Sequence, residues 1–292
     1  MRSMFSLRLA SLESPIHWNV PSILAMVSHC WHALQVLLLI MLSARALVLP
    51  SISSESQRRL ILVRHGQTEW NLQGKMQGGS FDIALNANGR QQAQQVADAL
   101  AAATPIHVMA SSHLQRARVT AETIWKAQQE KQEQHLLDDT IPYQSTPIST
   151  YTGFGEMRFG TFEGLSLRGP DCTPETTRSF QEINNRMKQD KTVAWPEGES
   201  TEDVEHRARA ALDQVLSRTR SGQTACIVAH GRTNNILLAS LLKGDGQYFY
   251  EFHQENCCIN VLDQTITNGS FEPVLINYND FMGVAADSTK PL

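Results

Sequence analysis

The chain is 292 residues long, with 41% hydrophobic and 18% charged residues, a composition typical of a globular protein with one large domain or two small ones. Its formal net charge is −4 at pH 7, and residues 1–46 carry a balance of +2, which leaves −6 for the rest. An acidic body argues against nucleic acid as a partner, because contacts with a phosphate backbone need a basic surface.

Residues 1–46 have the order of a secretory signal sequence. Two arginines near the start precede a largely apolar stretch whose densest part is residues 36–42, and small residues in an A-x-A pattern end at Ala46. We expect cleavage after Ala46 and entry into the secretory pathway. Two alternatives stay open: a retained anchor over residues 23–49, which would bring contact with a membrane, and a bipartite plastid signal.

The rest of the chain is expected to comprise a polar linker, residues 47–59, and one domain, residues 60–292. Strand-like and helix-like segments alternate in that domain, which indicates an α/β fold with a mostly parallel open sheet and helices on both faces. The end of the chain departs from this alternation. Strand-like runs at residues 258–262 and 271–277, on either side of an Asn-Gly pair, predict a β-hairpin.

Two apolar strands run directly into a His-Gly pair. Residues 60–64 precede His65, and residues 225–229 precede His230. A continuous apolar run is typical of a strand buried on both faces, which is the pattern of a parallel sheet. Ligands in such sheets bind beyond the carboxyl ends of the strands, so both histidines should face the same crevice.

A third strand, residues 106–110, leads to the same edge. Ser111 and Ser112 are expected to be N-caps of the helix that follows, which puts Arg116 in or near its first turn. A guanidinium at a helix amino terminus, beside Arg64 and two histidines, forms a strongly cationic pocket. Such a pocket suits a phosphate dianion.

Further along, the sequence predicts a polar helical extension at residues 128–134 and a loop at residues 138–150. This part of the chain would shape the substrate entrance or decorate the surface. A helix is expected to begin near Thr201, with Glu199 and Ser200 at helix-cap or surface positions.

The sequence Arg-His-Gly-Gln-Thr-Glu-Trp-Asn, residues 64–71, resembles the opening signature of the histidine phosphatase superfamily, the phosphoglycerate mutase-like proteins. It resembles the branch of small phosphatases and mutases rather than the acid phosphatase and phytase branch. Further segments that resemble the family follow in the family's order and cover most of residues 60–280. They are residues 82–89, 111–117, 155–164, 197–200 and 229–231.

The resemblance implies a role for each matching residue. His65 is the implied nucleophile, which forms a phosphohistidine. Glu156 is the implied proton donor to the leaving oxygen, although spacing alone does not exclude Glu69 or Glu163. The groups implied to bind the phosphoryl oxygens or to lie at the pocket mouth are Arg64, Arg116, His230, Asn71, the Gly231 amide, Gln77 and Gly78. The cationic groups supply the charge that a metal ion would otherwise provide, so no metal or other cofactor is expected.

These roles favour a metal-independent phosphomonoester hydrolase that acts on a small phosphorylated substrate. The segment between Glu156 and His230 is short, which favours hydrolysis, because a mutase needs covering loops that keep water from its phosphoenzyme. A phosphoglycerate mutase-type phosphotransferase remains an alternative, as does a membrane-tethered module that binds phosphate esters without turnover. A metal site formed by the two histidines is opposed by the neighbouring arginines.

Overall fold

Six strands form one sheet in the computed structural model, which describes residues 47–52, 56–136, 147–169 and 171–280. The strands are β1 Gln57–Arg64, β2 Val108–Ser112, β3 Ser149–Tyr151, β4 Thr224–Ala229, β5 Ile259–Thr265 and β6 Phe271–Tyr278, and their order in the sheet is β3-β2-β4-β1-β5-β6. The predicted leader, residues 1–46, lies outside the described residues, and so does most of the predicted loop at 138–150.

The sheet is mixed. Strands β3, β2, β4 and β1 are parallel, whereas β5 is antiparallel to β1 and β6 is antiparallel to β5. The prediction of a mostly parallel sheet therefore applies to four strands, and the predicted hairpin supplies the other two. Because β5 lies beside β1, the strand that ends at Arg64 has a hydrogen-bonded neighbour on both sides.

The register of β1 and β4 brings the two His-Gly pairs together. Arg64 is the partner of Ala229 in this parallel pair. The next residue of each strand therefore leaves the sheet at the same level, and the amide of His65 donates a 3.1 Å hydrogen bond to the carbonyl of Ala229. His65 and His230 follow as neighbours at the carboxyl edge of the sheet.

Helices cover both faces of the sheet, as predicted. They are α1 Glu69–Gln73, α2 Ala87–Ala103, α3 Gln115–Leu136, α4 Pro174–Met187, α5 Thr201–Leu216 and α6 Gly231–Lys243. Alternate side chains of β1 point to opposite faces, so Ile61 and Val63 pack with α2 and α3, whereas Leu60 and Leu62 pack with α5 and α6. None of the helices in the described ranges has the length and apolar character needed to cross a bilayer.

A third hydrophobic cluster contains no strand residue. Its centre is Trp195, whose ring lies 5.3 Å from the rings of Phe159 and Phe162 and stacks at 5.0 Å on Phe180 of α4. Ile236 of α6 belongs to the same cluster. Burial of these side chains, at roughly 1.5–3 kcal/mol for each one fully buried, attaches α4 to the rest of the domain.

The start of α3 differs from the prediction. Ser111 and Ser112 are the last two residues of β2 and do not cap the helix. Helix α3 begins at Gln115, whose amide donates to Oδ1 of Asp82 at 2.7 Å. The cap therefore comes from a loop far away in sequence, which no local pattern around the two serines could indicate.

Two other segments are less exposed than predicted. Ser200 is the N-cap of α5, as expected, but both Ser200 and Glu199 are buried, because Glu199 forms an ion pair with Arg207. The predicted linker, residues 47–59, contacts the domain: β1 begins at Gln57 within it, and Leu47 is buried in the cluster beneath α2 and α3.

Candidate active site

Two buried histidines face each other beyond β1 and β4. The ring centroids of His65 and His230 lie 5.1 Å apart, and the rings meet edge to face at 61°. His65 is 3% exposed and His230 is fully buried. Nδ1 of His65 lies 2.7 Å from the carbonyl oxygen of Gly66. A carbonyl oxygen only accepts hydrogen bonds, so Nδ1 carries the proton and Nε2 keeps a free electron pair.

The surroundings keep both rings neutral. Burial lowers the pKa of His65 well below its ordinary value, and the positive charges of Arg116 and Arg64 lower it further. Burial, followed by the charge of Arg116, also lowers the pKa of His230. A neutral imidazole at pH 7 is the form in which His65 can act as a nucleophile.

Three nitrogens of this pocket are buried and have no hydrogen-bond partner among the described residues: Nε of Arg64, Nε of Arg116 and Nδ1 of His230. Nε2 of His230 lies 2.8 Å from Oγ of Ser112, which also accepts the amide of Leu114. Oγ can donate its own proton to Nε2, and in that tautomer the ring proton of His230 lies on Nδ1. A buried donor without a partner costs roughly 1–3 kcal/mol. Three such donors with two positive charges favour an oxyanion as the ligand.

The two arginines are held in place by backbone carbonyls. Arg116 donates to Phe81 at 2.8 Å and to Gly78 at 2.9 Å, and Arg64 donates to the carbonyl of Gln254. Burial lowers the pKa of Arg116 to about 10, an effect that the charge of Glu156 partly opposes. Arg116 therefore stays cationic at neutral pH and keeps its Nε free for a ligand.

Glu163 shapes the loop that holds Arg116. Its carboxylate accepts the amides of Gly79 at 3.2 Å and Ser80 at 3.3 Å, and also that of Phe159 at 2.9 Å. Gly78 has φ of +61°, and a Cβ at this position would lie 1.9 Å from Oε1 of Glu163, so only glycine fits. The predicted mouth residue Gly78 thus supports Arg116 through its carbonyl.

Gln77 and Asn71 are two further residues that the resemblance places at the ligand. Gln77 is buried, and its Oε1 has no hydrogen-bond partner among the described residues. Oδ1 of Asn71 accepts the amide and hydroxyl of Thr68 in a capping box for α1, and it lies 3.4 Å from Nδ2 of Asn256. Asn71 can therefore reach a ligand only through its amide nitrogen.

The amino terminus of α6 completes the pocket. His230 is its N-cap in extended conformation, and Glu156 accepts the amides of Arg232 at 3.3 Å and Thr233 at 3.1 Å. Gly231 is the first residue of the helix, so its amide has no hydrogen-bond acceptor within the helix. This amide can donate a hydrogen bond to a bound anion. The guanidinium of Arg64 lies close to this helix end, because a Cβ at Gly231 would be in van der Waals contact with its Nε at 3.4 Å.

Of the three carboxylates that the sequence leaves as candidates for proton transfer, Glu156 lies at the amino terminus of α6, the helix whose N-cap is His230. Glu163 is engaged with loop amides, and Glu69 lies exposed on α1, where it accepts Nε2 of Gln73. The charge of Glu156 also acts on Arg116. Glu156 itself accepts the amides of Met157, Arg232 and Thr233, and it is the carboxylate to which the resemblance gives the role of proton donor.

Several residues that support the catalytic side chains were not predicted from the sequence. Ser112 contacts His230, and its position at the end of a parallel strand was the one signal that pointed to the site. Beneath Arg64 lies a buried polar network, in which Gln254 contacts Asn260 at 2.9 Å and Cys258 at 3.2 Å. Residues of this kind are recognised only when the hairpin is seen to lie beside β1.

Two histidines and two arginines at the carboxyl ends of parallel strands, next to a helix amino terminus, define an α/β protein with a phosphoryl-binding site. The chain belongs to the histidine phosphatase superfamily (branch 1), and the family's sequence profile matches residues 60–279. This family membership agrees with the order of the motifs along the chain.

Curated relatives include plant proteins. The chain is 28% identical over 210 residues to the probable 2-carboxy-D-arabinitol-1-phosphatase of Arabidopsis thaliana and 29% identical over 224 residues to the 2-carboxy-D-arabinitol-1-phosphatase of Triticum aestivum. The matches cover 72% and 74% of this chain but 38% and 39% of the relatives. The chain thus spans about two fifths of the length of these relatives.

Solved structures share the fold. A mycobacterial glucosyl-3-phosphoglycerate phosphatase, solved with VO3, aligns with a TM-score of 0.62 at 24% identity and covers 76% of this chain and 100% of its own. A phosphoserine phosphatase from Entamoeba histolytica, solved with 3-phosphoglyceric acid, aligns with a TM-score of 0.57 at 25% identity and covers 77% and 99%.

Proposed function

We propose that the protein is a phosphomonoester hydrolase that acts through a phosphohistidine and needs no metal ion. The observation that carries the proposal is the contact between Nδ1 of His65 and the carbonyl oxygen of Gly66, which places the ring proton on Nδ1 and leaves the electron pair of Nε2 for attack. Beside it lie three nitrogen atoms, on Arg64, Arg116 and His230, that have no hydrogen-bond partner within the described ranges. Relatives with phosphatase names support the same reaction class.

In the first half-reaction, Nε2 of His65 attacks the phosphorus, so an N–P bond forms as the bond to the leaving oxygen breaks. Glu156 gives its proton to that oxygen, and the product leaves as a neutral alcohol. Arg64 and Arg116 balance the charge of the phosphoryl oxygens before the transition state forms, which avoids reorganisation during the reaction.

In the second half-reaction, a water molecule attacks the phosphohistidine. Glu156, now a carboxylate, takes a proton from that water, an O–P bond forms and the N–P bond breaks. Inorganic phosphate leaves, His65 returns to its neutral form and Glu156 is again protonated. The arginines supply the positive charge in both steps, so the cycle contains no step that requires a metal ion.

The alternative is a phosphotransferase that passes the phosphoryl group between phosphoglycerates. It has the same first half-reaction, and it differs only in the acceptor of the second. A relative named phosphoglycerate mutase-like protein 4, from Arabidopsis thaliana, is 32% identical over 173 residues and keeps this alternative open. Transfer from a phosphoglycerate to a second phosphoglycerate, without release of inorganic phosphate, would establish it.

The test is steady-state hydrolysis of para-nitrophenyl phosphate by the full chain in the presence of EDTA. We expect turnover in the native protein and none in His65→Ala. His206→Ala is the matched control, because His206 is exposed on α5 and should leave turnover unchanged. Loss of turnover on adding EDTA, or turnover retained in His65→Ala, would contradict the proposed mechanism.

For the amino terminus, we propose a signal that is cleaved after Ala46. The support is the sequence pattern, in which small residues in an A-x-A arrangement end at Ala46 after the apolar stretch. Intact mass measurement of the carboxy-terminally tagged chain, produced in cells with a secretory pathway, should give a mature protein that starts at Leu47. An uncleaved protein in the membrane fraction would favour the anchor, and import into plastids would favour the bipartite signal.

A further inference from the structure

Arg232 is a partly buried cation next to the pocket that the proposed mechanism does not use. It is the second residue of α6. Its Cζ lies over the ring of Phe249 at 4.4 Å from the centroid and 5.7 Å from the centroid of Phe159. Burial lowers the pKa of Arg232 to about 10, an effect that the charge of Glu156 partly opposes. The guanidinium is thus held in an apolar setting while it keeps its charge.

The hydrogen bonds of Arg232 leave one edge of the guanidinium available. Nη1 donates to Oδ1 of Asn184 on α4 at 3.1 Å. Nε and Nη2, which form the side edge, have no hydrogen-bond partner among the described residues, and no salt bridge joins Arg232 to any carboxylate there. A guanidinium has five N–H donors, so most of its capacity to bind an anion is unused.

Elsewhere in the protein this same edge binds carboxylates. Nε and Nη2 of Arg59 donate to the two oxygens of Asp263, each at 2.8 Å. Nε and Nη2 of Arg207 donate to the two oxygens of Glu199 at 2.9 and 3.0 Å. Arg232 differs from both, because its neighbours are two aromatic rings and a neutral amide.

The backbone places Arg232 on the leaving-group side of the pocket. Its amide donates to Oε2 of Glu156, the group that protonates the leaving oxygen in the proposed mechanism. The donors assigned to the phosphoryl oxygens belong to other residues, Arg64, Arg116 and His230. Because the charge of Glu156 acts on the Arg232 guanidinium as well, this side chain lies on the side of the pocket where the proposed mechanism releases the organic product.

We propose that Nε and Nη2 of Arg232 bind a carboxylate of the substrate's leaving group, which makes the preferred substrates phosphate monoesters that also carry a carboxylate. This proposal rests on the proposed phosphatase function. A carboxylate fits better than a second phosphate, because one guanidinium balances a single negative charge but not two. The planar fork also matches the two oxygens of a carboxylate.

The test compares pairs of compounds that differ in one carboxylate. The inhibition constants of 3-phosphoglycerate and glycerol 3-phosphate, and of 2-phosphoglycerate and glycerol 2-phosphate, are measured against hydrolysis of para-nitrophenyl phosphate. We expect the native protein to bind the carboxylate member of at least one pair about tenfold to a hundredfold more tightly. The ratio within a pair cancels any general loss of activity in a variant.

Arg232→Gln should bring that ratio close to one, and Arg232→Lys should give an intermediate value, because it keeps the charge and loses the fork. Arg158→Gln is the matched control: Arg158 is an exposed arginine near Glu199, and its loss should leave the ratio unchanged. If Arg232 only attached α4 through Asn184, its replacement would weaken both members of a pair equally.

A ratio near one in the native protein for both pairs, or a preference that persists in Arg232→Gln, would overturn the inference. Absence of nitrophenol release by the native protein would instead overturn the proposed function. In that case, the same ratios are measured as dissociation constants by titration calorimetry, so the role of Arg232 is still tested.

Discussion

Oγ of Ser112 lies 2.8 Å from Nε2 of His230, although the two residues are 118 positions apart in sequence. The contact joins the carboxyl ends of β2 and β4, which are adjacent in the sheet. It orients the imidazole, and when Oγ is the donor the ring proton lies on Nδ1, which has no partner among the described residues. A residue of β2 therefore controls how the second histidine meets a phosphoryl oxygen.

Replacing Ser112 by alanine should lower kcat/KM for para-nitrophenyl phosphate by about fivefold to tenfold, the effect of one neutral hydrogen bond. Ser111→Ala is the matched control, because the hydroxyl of Ser111 is equally buried and has no hydrogen-bond partner among the described residues. Equal losses in the two variants would mean that the Ser112 contact is irrelevant to catalysis.

Removal of the Arg116 guanidinium should lower kcat/KM far more than the Ser112→Ala substitution does. Arg116→Ala should reduce kcat/KM by about a thousandfold, in the range of catalytic arginines in phosphoryl transfer. Arg118→Ala provides the comparison, because Arg118 lies two residues further on the same helix and pairs with Glu122 at the surface. Steady-state rates for both variants decide the point, and a loss below tenfold for Arg116→Ala would place its guanidinium outside the reacting pocket.

The pH profile should reflect the environment of His65. Its pKa is lowered, first by burial and then by Arg116 and Arg64, and the reactive form is the neutral ring. Activity is therefore retained as pH falls through the ordinary histidine range and is lost only below the lowered pKa. We expect the acid limb of kcat/KM to lie well below pH 6.5, and to move towards higher pH in Arg64→Ala.

An acid limb near the ordinary pKa of histidine, at about 6.5, would indicate that the reactive ring is accessible to solvent. A limb that does not move in Arg64→Ala would mean that the arginine charge has no influence on His65. Burial and the charge of Arg116 would then account for the lowered pKa of His65.

The two glutamates near the pocket should respond differently to the leaving group. Glu156→Gln removes the proton donor, so it should slow hydrolysis of an alkyl phosphate far more than that of para-nitrophenyl phosphate, whose leaving group departs without a proton. Glu163→Gln weakens the loop that holds Arg116, so it should slow both substrates to a similar extent. The ratio of the two rates in each variant is the measurement, and the reverse pattern would exchange the two roles.

The strands that carry the histidines were predictable because their pattern is local. An apolar run that ends in His-Gly specifies both the strand and the position of the side chain at its end. The serine pair before α3 was not predictable, since serine ends strands as readily as it caps helices. The actual cap, Asp82, becomes a neighbour of Gln115 only after folding.

The burial of polar residues also could not be predicted from the sequence. Glu199 was expected near the surface, yet it is buried because Arg207, eight residues later, turns towards it from α5. Nothing around Arg232 marks its role either, since the two rings and the amide that surround it come from three separate segments. Tertiary contacts of this kind do not produce a periodic pattern in the amino-acid sequence, so sequence analysis cannot detect them.

The third hydrophobic cluster contains Trp195 and no described residue of the sheet. This separation affects which substitutions the enzyme can tolerate as its sequence evolves. His65 and Arg64 depend on β1, and Arg116 is held by α3 and the loop at Gly78, whereas Asn184 lies on α4, which packs on this separate cluster. Substitutions in α4 can therefore accumulate without loosening the reacting groups. A library randomised on the exposed face of α4 should yield folded proteins with altered substrate choice, while one randomised in β1 should yield mainly insoluble chains.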